Sequence, residues 1–400
     1  MPLRYHMLSP AAGRDAIIYL DNAATSWPKP PCVAEAMVRF LAEVGANPGR
    51  AAHRRANEAA HIIYDVRERI AALFNCGDPQ RVAFGPNVTE ALNLTLAGIL
   101  KPGDHVITSS MEHNSMMRPL RWLERGGVDV SVAQCSADGF LEPADIRSAV
   151  RRTTKMIAVN HASNVTGSIA PVRELGAIAR EYGLLLLVDA AQSGGVLDID
   201  MRRDMADLVA FTGHKSLYGP MGTGGLAIGE RVDIAAMRPL KRGGTGSRSQ
   251  YEEQPDFTPD AFESGTPNVV GLAGLAASVQ WLQTTGIAAI RTKEQALTRR
   301  CINGLRAIDG VRIYGPGDAE RQVANVCFTV RNADAGAVAR ILDERFGVLC
   351  RAGLHCSPSA HRTMGTFPNG TVRFSIGYFT TEDDVDAAVS AVESIARGKA

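Results

Sequence analysis

A lysine just past an apolar run and ahead of a bare loop can be a surface charge, a phosphate contact or a Schiff-base nucleophile. Lys215 is such a lysine, in Asp207-Leu-Val-Ala-Phe-Thr-Gly-His-Lys-Ser-Leu-Tyr-Gly-Pro-Met-Gly-Thr-Gly-Gly225. Residues 208–211 read as a buried strand, and Thr212, His214 and Lys215 fall just past its end. Glycines at 219, 222, 224 and 225 leave the loop open to close approach. Earlier, Leu184-Leu-Leu-Leu-Val-Asp-Ala-Ala-Gln192 reads as a buried parallel strand with Asp189 at its carboxyl end. Ligands of open α/β sheets sit outside the carboxyl ends of strands. Neighbouring strands would thus present Asp189 and Lys215 to one crevice.

Pyridoxal phosphate asks for this pair: an amine to hold its aldehyde as an imine, and a carboxylate to keep the pyridine nitrogen protonated. A buried ion pair is the alternative, but it leaves the glycine-rich loop unexplained. Met111-Glu-His-Asn-Ser-Met-Met117 brings His113 to the same crevice. It is either a structural histidine or a ring stacked on a planar cofactor and able to move protons. Asn160-His-Ala-Ser-Asn-Val-Thr-Gly167 offers Asn164 from the next strand. Val88 and Thr89 fall in the first turn of a helix, where free backbone N–H groups favour an anion; plain N-capping explains them equally well. In Thr371-Val-Arg-Phe-Ser-Ile-Gly377 the alternation puts Arg373 and Ser375 on the face opposite Val372, Phe374 and Ile376. A guanidinium there suits bidentate capture of an amino-acid carboxylate, with an ion pair as the alternative. Arg351-Ala-Gly-Leu-His-Cys-Ser357 places Cys356 on a glycine-containing loop, with His355 beside it and Arg351 upstream. Such basic surroundings favour a nucleophilic thiol.

These residues need a scaffold, and the chain is long enough for two domains at 400 residues. Strand patterns at 81–84, 105–109, 128–133, 155–160, 184–188, 208–211 and 225–228 alternate with helical ones. That is the βαβ rhythm of a mostly parallel sheet covered on both faces. A helix through Ile62 and Phe74 carries Arg67, Glu68 and Arg69 on what reads as a solvated face. After an irregular stretch from Arg242 to Phe262, the character changes. A long helix from 270, strands at 323–330, 348–351 and 371–377, and helices at 335–346 and near 385–395 read as a smaller α+β domain. Net charge is +1, with 43 Lys plus Arg against 42 Asp plus Glu, which argues against nucleic-acid or membrane-surface binding by bulk charge. No apolar run nears the roughly 20 residues that span a bilayer. Residues 1–14 lack an apolar core followed by a cleavage site, so secretion is not expected. Seven cysteines without a CxxC disfavour a disulfide framework or zinc ribbon and fit a reducing, cytoplasmic setting.

Taken in chain order, Glu112-His113-Asn114, Ser163-Asn164-Val-Thr-Gly167, Asp189-Ala-Ala-Gln192, Thr212-Gly-His-Lys215 and Glu263-Ser-Gly-Thr-Pro-Asn268 match the pattern of class V, fold-type I pyridoxal-phosphate enzymes. More narrowly, the chain resembles a cysteine desulfurase of the SufS/NifS-like kind, close to selenocysteine lyases, from Tyr19 to about Ile395. The resemblance implies a seven-stranded, mostly parallel sheet with helices on both faces over residues 25–265, and a smaller α+β domain from 1–24 and 266–400. It implies pyridoxal 5'-phosphate bonded to Lys215, with Asp189 on the pyridinium, Gln192 at the phenolic oxygen and His113 on the ring. Val88, Thr89, Thr212 and His214 would hold its phosphate, and Thr266 would reach the phosphate of a partner subunit, making a homodimer with shared sites. Arg373, Arg351, Asn164 and Ala24 would hold L-cysteine. Cys356 would accept its sulfur as a persulfide, leaving L-alanine, and an acceptor protein would collect the sulfur. The family's loop more usually has a second histidine where Leu354 stands here. Two alternatives share the scaffold: a lyase acting on L-selenocysteine, and a class V aminotransferase or epimerase that needs no thiol.

Overall fold

Short runs of Val, Ile and Leu bounded by glycine or polar residues form the strands, as their β-propensity favours. The computed structural model describes residues 17–49 and 53–398. The expectations placed on residues 1–14, and on Arg50, Ala51 and Ala52 as part of a loop, lie outside them. Strand β1 is Ile18–Tyr19. The main sheet is built from β2 (Val82–Gly85), β3 (His105–Ser109), β4 (Asp129–Ala133), β5 (Thr154–Asn160), β6 (Leu185–Asp189), β7 (Leu208–Thr212) and β8 (Gly224–Ile228). Their order is β2-β8-β7-β6-β5-β3-β4. Strands β4, β3, β5, β6 and β7 pair in parallel, and β8 runs antiparallel to both its neighbours. The sheet is therefore mostly parallel and seven-stranded.

Alternate residues of each strand face opposite layers, because side chains on a strand repeat every second residue. Ile157, Val159, Leu186, Val188, Val209 and Phe211 enter one core, with helices Arg54–Leu73, Val172–Glu181 and Val269–Thr285 against them. Met156, Ala158, Leu187, Leu208 and Ala210 enter the other, under helices Val88–Ile99 and Asn114–Arg125. Each fully buried Leu or Ile contributes about 1.5–3 kcal/mol. This two-sided burial holds the strand ends, and so the site, in fixed register.

A second sheet is formed by β9 (Val311–Tyr314), β10 (Asn325–Val330), β12 (Arg351–Gly353) and β13 (Thr371–Ser375), all antiparallel, in the order β12-β13-β10-β9. The single strand expected over 348–351 is instead two. β11 (Val348–Leu349) pairs with β1, and the chain then leaves at Cys350 so that β12 can pair with β13. The consequence is functional, for Arg351 stands directly opposite Arg373 across β12 and β13. Strand β9 and the helix Ile287–Arg306 were not anticipated. That helix is separated from Val269–Thr285 by Gly286, whose φ of 86° breaks the run.

Arg67 departs from its expected place on a solvated face. It is 5% exposed and paired with Glu263, whereas Glu68 stays in solvent and Arg69 pairs with Asp65 at 2.7 Å. We propose that the chain divides into a large unit over 25–265 and a smaller one from 266 onward that also takes up the N-terminal strand. The helix Val269–Thr285 links them. Its Leu272, Leu275, Val279 and Leu282 join the main core, and Leu297, Cys301 and Leu305 of the next helix join the second. Among the described residues no helix is long and apolar enough to cross a membrane.

Candidate active site

Asp189 is the last residue of β6 and is 4% exposed; its Oδ1 accepts the Ala191 N–H at 2.9 Å. Burial pushes its carboxyl above the usual range, against the Ala191 N–H and the Lys215 charge. The neighbouring strand β7 ends at Thr212, and Lys215 follows after a two-residue step. The segment after β1 clasps this step. Ser26 donates its N–H to the His214 carbonyl at 3.0 Å and its hydroxyl to the Lys215 carbonyl at 2.9 Å, and Lys29 Nζ donates to the His214 carbonyl at 2.8 Å. Lys215 is held at about 8, chiefly by burial, with Arg373 and Arg351 pushing the same way and Asp189 pulling back.

Both residues line a cavity of about 120 Å³ together with Val88, Thr89, His113, Asn164, Gln192, Thr212 and His214. The sequence thus anticipated most of one wall set. Val88 and Thr89 open the helix Val88–Ile99, capped by Asn87, whose side chain takes the Glu90 N–H at 3.0 Å. His214 Nδ1 is buried without a hydrogen-bond partner among the described residues. Burial, then the Lys215 and Lys29 charges, lower His214 to about 4, so the ring is neutral. His113 caps the helix Asn114–Arg125. Its Nδ1 accepts the Ser115 N–H at 3.0 Å and lies 2.8 Å from the Ser115 hydroxyl. Burial, then Lys215, hold His113 near 4. A neutral imidazole that accepts at Nδ1 carries its proton on Nε2.

Gln192 donates its amide to the Ala23 carbonyl at 3.0 Å. Ala23 and Gln192 also line a smaller hollow beside Lys215; Ala24 is half-buried in the adjoining turn, its N–H bonded to the Asp21 carbonyl at 3.0 Å. Thr266 is exposed and lines a different groove, with Phe84, Lys241 and Phe262.

Arg373 is 1% exposed. It donates from Nη1 to the Asn164 carbonyl at 2.7 Å and from Nη2 to Asp21 Oδ1 at 2.8 Å, while its Nε is buried with no partner among the described residues. It is thus ion-paired, but in the interior. Two guanidiniums in register against one carboxylate leave a positive excess, which suits a small anion. Asp21 was legible only as part of an irregular segment; its role comes from a bridge to Ser375 that sets it beside Arg373.

Cys356 is exposed, whereas the other six cysteines are buried or half-buried. Its carbonyl accepts the Asn114 N–H at 2.9 Å, and Arg351 Nη2 lies 3.3 Å from its sulfur. It borders a groove with His113, Arg118 and Trp122. His355 and Cys356 adopt φ of 49° and 59°, a region unusual for residues with a side chain. This turn sends the two side chains apart. The His355 ring is buried and stacks on His361 at 5.4 Å, and burial holds it well below its ordinary range. The basic group beside the thiol is therefore Arg351, not His355. Asn164 holds the loop from below, donating to the His355 carbonyl at 2.7 Å and accepting from the Ser357 hydroxyl at 2.7 Å. It bonds both the thiol loop and Arg373, which sequence reasoning did not anticipate. Glu112, next to His113, carries no sequence signal of its own. It is fully buried, accepts the Asn160 N–H, and burial raises it to about 8.

An amine, a carboxylate and a neutral imidazole thus share one cavity. The accessible thiol borders an adjoining groove that has Thr89 and His113 in common with it, and the paired arginines meet through Asn164 and the thiol rather than on the cavity wall. The family model for class V aminotransferases matches residues 18–388. A probable cysteine desulfurase of Methanothermobacter thermautotrophicus is 36% identical, over 95% of this chain and 94% of its own length. A cysteine desulfurase of Serratia proteamaculans is 30% identical, over 98% and 96%. The apo structure of cysteine desulfurase from Thermococcus onnurineus superposes with a TM-score of 0.89 at 32% identity, covering 96% of this chain and 95% of that one.

Proposed function

The chain belongs to the class V aminotransferase family and is a cysteine desulfurase, and from that premise we propose how its residues divide the work. Enzymes of this family use pyridoxal phosphate in general. The residues here suit that group. The orphaned His214 Nδ1, beside Thr212 and the open helix turn at Val88 and Thr89, is a donor set for a phosphate. That observation carries the assignment. When bound, the cofactor supplies an aldehyde that captures amines and a ring that withdraws electrons from the substrate carbon.

Lys215 would hold the aldehyde, and its amine, when free, would take the Cα proton of the substrate. An amine held near 8 is matched to that task at neutral pH. Asp189 would meet the ring nitrogen, Gln192 the phenolic oxygen, and His113 would offer its Nε2–H to the ring. Arg373 and Arg351 bind the substrate carboxylate, with Asn164 and the turn at Ala24 completing the wall. Cys356 attacks the sulfur of L-cysteine. An S–S bond would form as the carbon–sulfur bond breaks. The electron pair of that bond goes to Cβ, which gains the proton given up by the Cys356 thiol, and Lys215 returns its proton to Cα, so that L-cysteine and the thiol become L-alanine and a Cys356 persulfide. Thr266, exposed on its own chain, reaches the phosphate site of a second copy in a homodimer. The persulfide on exposed Cys356 then passes to a cytoplasmic acceptor protein.

Borohydride reduction of the yellow protein should fix the cofactor on Lys215, located by peptide mass. L-Cysteine should yield alanine and sulfide in equal amounts in the presence of a reductant. Pyruvate-dependent transamination without sulfide would refute the reading.

A further inference from the structure

The proposed phosphate contacts come from two segments far apart in sequence: β2 with its following helix serves the chain's own site, and the turn at Thr266 serves that of the second copy. One partly buried carboxylate touches both. Glu263 Oε1 accepts the Phe84 N–H at 2.6 Å and Arg67 Nη1 at 2.6 Å, while Oε2 accepts Arg67 Nη2. Arg67 also donates to the Val82 carbonyl, and its guanidinium lies 4.7 Å over the Phe84 ring. Val82 and Phe84 belong to β2, which ends at Gly85 and leads through Asn87 into Val88 and Thr89. On the other side, Glu263 begins the turn that carries Thr266. That turn is pinned again at Asn268, which bonds the Gly222 carbonyl at 2.9 Å and caps the next helix through the Gly271 N–H at 3.0 Å. Thr266 stands exposed between these two anchors.

A buried ion pair is a weak source of stability, because desolvation offsets the attraction. Its geometric content is greater, since a bidentate guanidinium–carboxylate pair fixes both distance and angle. We propose that Arg67 and Glu263 are positioning residues for the cofactor phosphate, setting the helix start at Val88 and the turn at Thr266 from one joint. The proposal rests on the phosphate reading given above.

The test compares pyridoxal phosphate with pyridoxal, which lacks the phosphate. The full chain is titrated with each, and binding is read from the visible absorbance gained when the aldehyde bonds Lys215. In Glu263→Gln, the preference for the phosphorylated form should fall by about 10-fold or more, as loss of a partly buried charged hydrogen bond implies. Pyridoxal affinity should change by less than about 2-fold, since pyridoxal makes no phosphate contact. The double variant Arg67→Met/Glu263→Gln should show the same fall without leaving a buried cation unpaired, which separates positioning from misfolding. An unchanged preference, or equal losses for both ligands, overturns the proposal. A wild-type protein without any preference for the phosphorylated form would sink the phosphate site itself, and this proposal with it.

Discussion

Lys215 carries a folding cost that a single substitution should release. In the folded protein its amine is held at about 8 against an ordinary value of 10.5, chiefly by burial. Between those values the unfolded chain binds a proton that the folded chain does not, so stability rises with pH across that window. At ~1.4 kcal/mol per pH unit the drop caps the penalty at about 3.5 kcal/mol at pH 7. Partial solvent access to Lys215 reduces it to about 1.5 kcal/mol. Lys215→Met keeps the stem and removes the charge. Cofactor-free Lys215→Met should therefore be more stable than cofactor-free wild type by about 1.5 kcal/mol at pH 7 in urea unfolding, with the gap closing by about pH 10.5. If the variant is equally or less stable at pH 7, or if the gap ignores pH, the desolvated-amine argument is wrong.

Other consequences can be measured alongside. Arg373→Lys loses the fork that spans Asn164 and Asp21 and with it the proposed carboxylate contact, so kcat/KM for L-cysteine should drop about 100-fold, mostly through KM; an unaltered KM would move carboxylate binding elsewhere. Burial raises Glu294, which accepts the Tyr218 hydroxyl at 3.1 Å, to about 7. The wild-type protein should thus lose stability from that group as pH climbs from about 4.5 to 7, and Glu294→Gln should remove that slope in denaturation curves. A Cβ on Gly224 would come within 2.8 Å of the Asn87 backbone and 2.7 Å of the Phe211 carbonyl. Gly224→Ala should cost about 2–3 kcal/mol of unfolding free energy; a neutral effect would mean the cradle tolerates displacement of Asn87.

The legible parts of this chain are those fixed by local pattern. Apolar runs ending in Asp189 or leading to Lys215 announce buried parallel strands, because burial on both faces demands unbroken hydrophobicity. Alternation at Thr371–Gly377 correctly separated Arg373 from Phe374. What local pattern misses is set by long-range pairing. The division of 348–353 between two sheets depends on β1 and β13, each of which claims half of the run. Arg67 reads as solvated because it sits in a charged run with Glu68 and Arg69; only the approach of Glu263 makes its burial tolerable. His355 seemed to belong to Cys356 by adjacency, yet two successive left-handed residues turn them apart. Asn164 and Asp21, which knit the thiol loop and Arg373 to the rest, carry no sequence signal of that work.

The most direct test is a single turnover on the intact enzyme. With L-cysteine limiting and no reductant or acceptor added, alkylation and peptide mass analysis should find one extra sulfur on Cys356 and none on the six sheltered cysteines, matched by an equal yield of alanine. Cys356→Ala should make neither. Full alanine release with an unmodified Cys356, or undiminished turnover in Cys356→Ala, would contradict sulfur capture by this thiol.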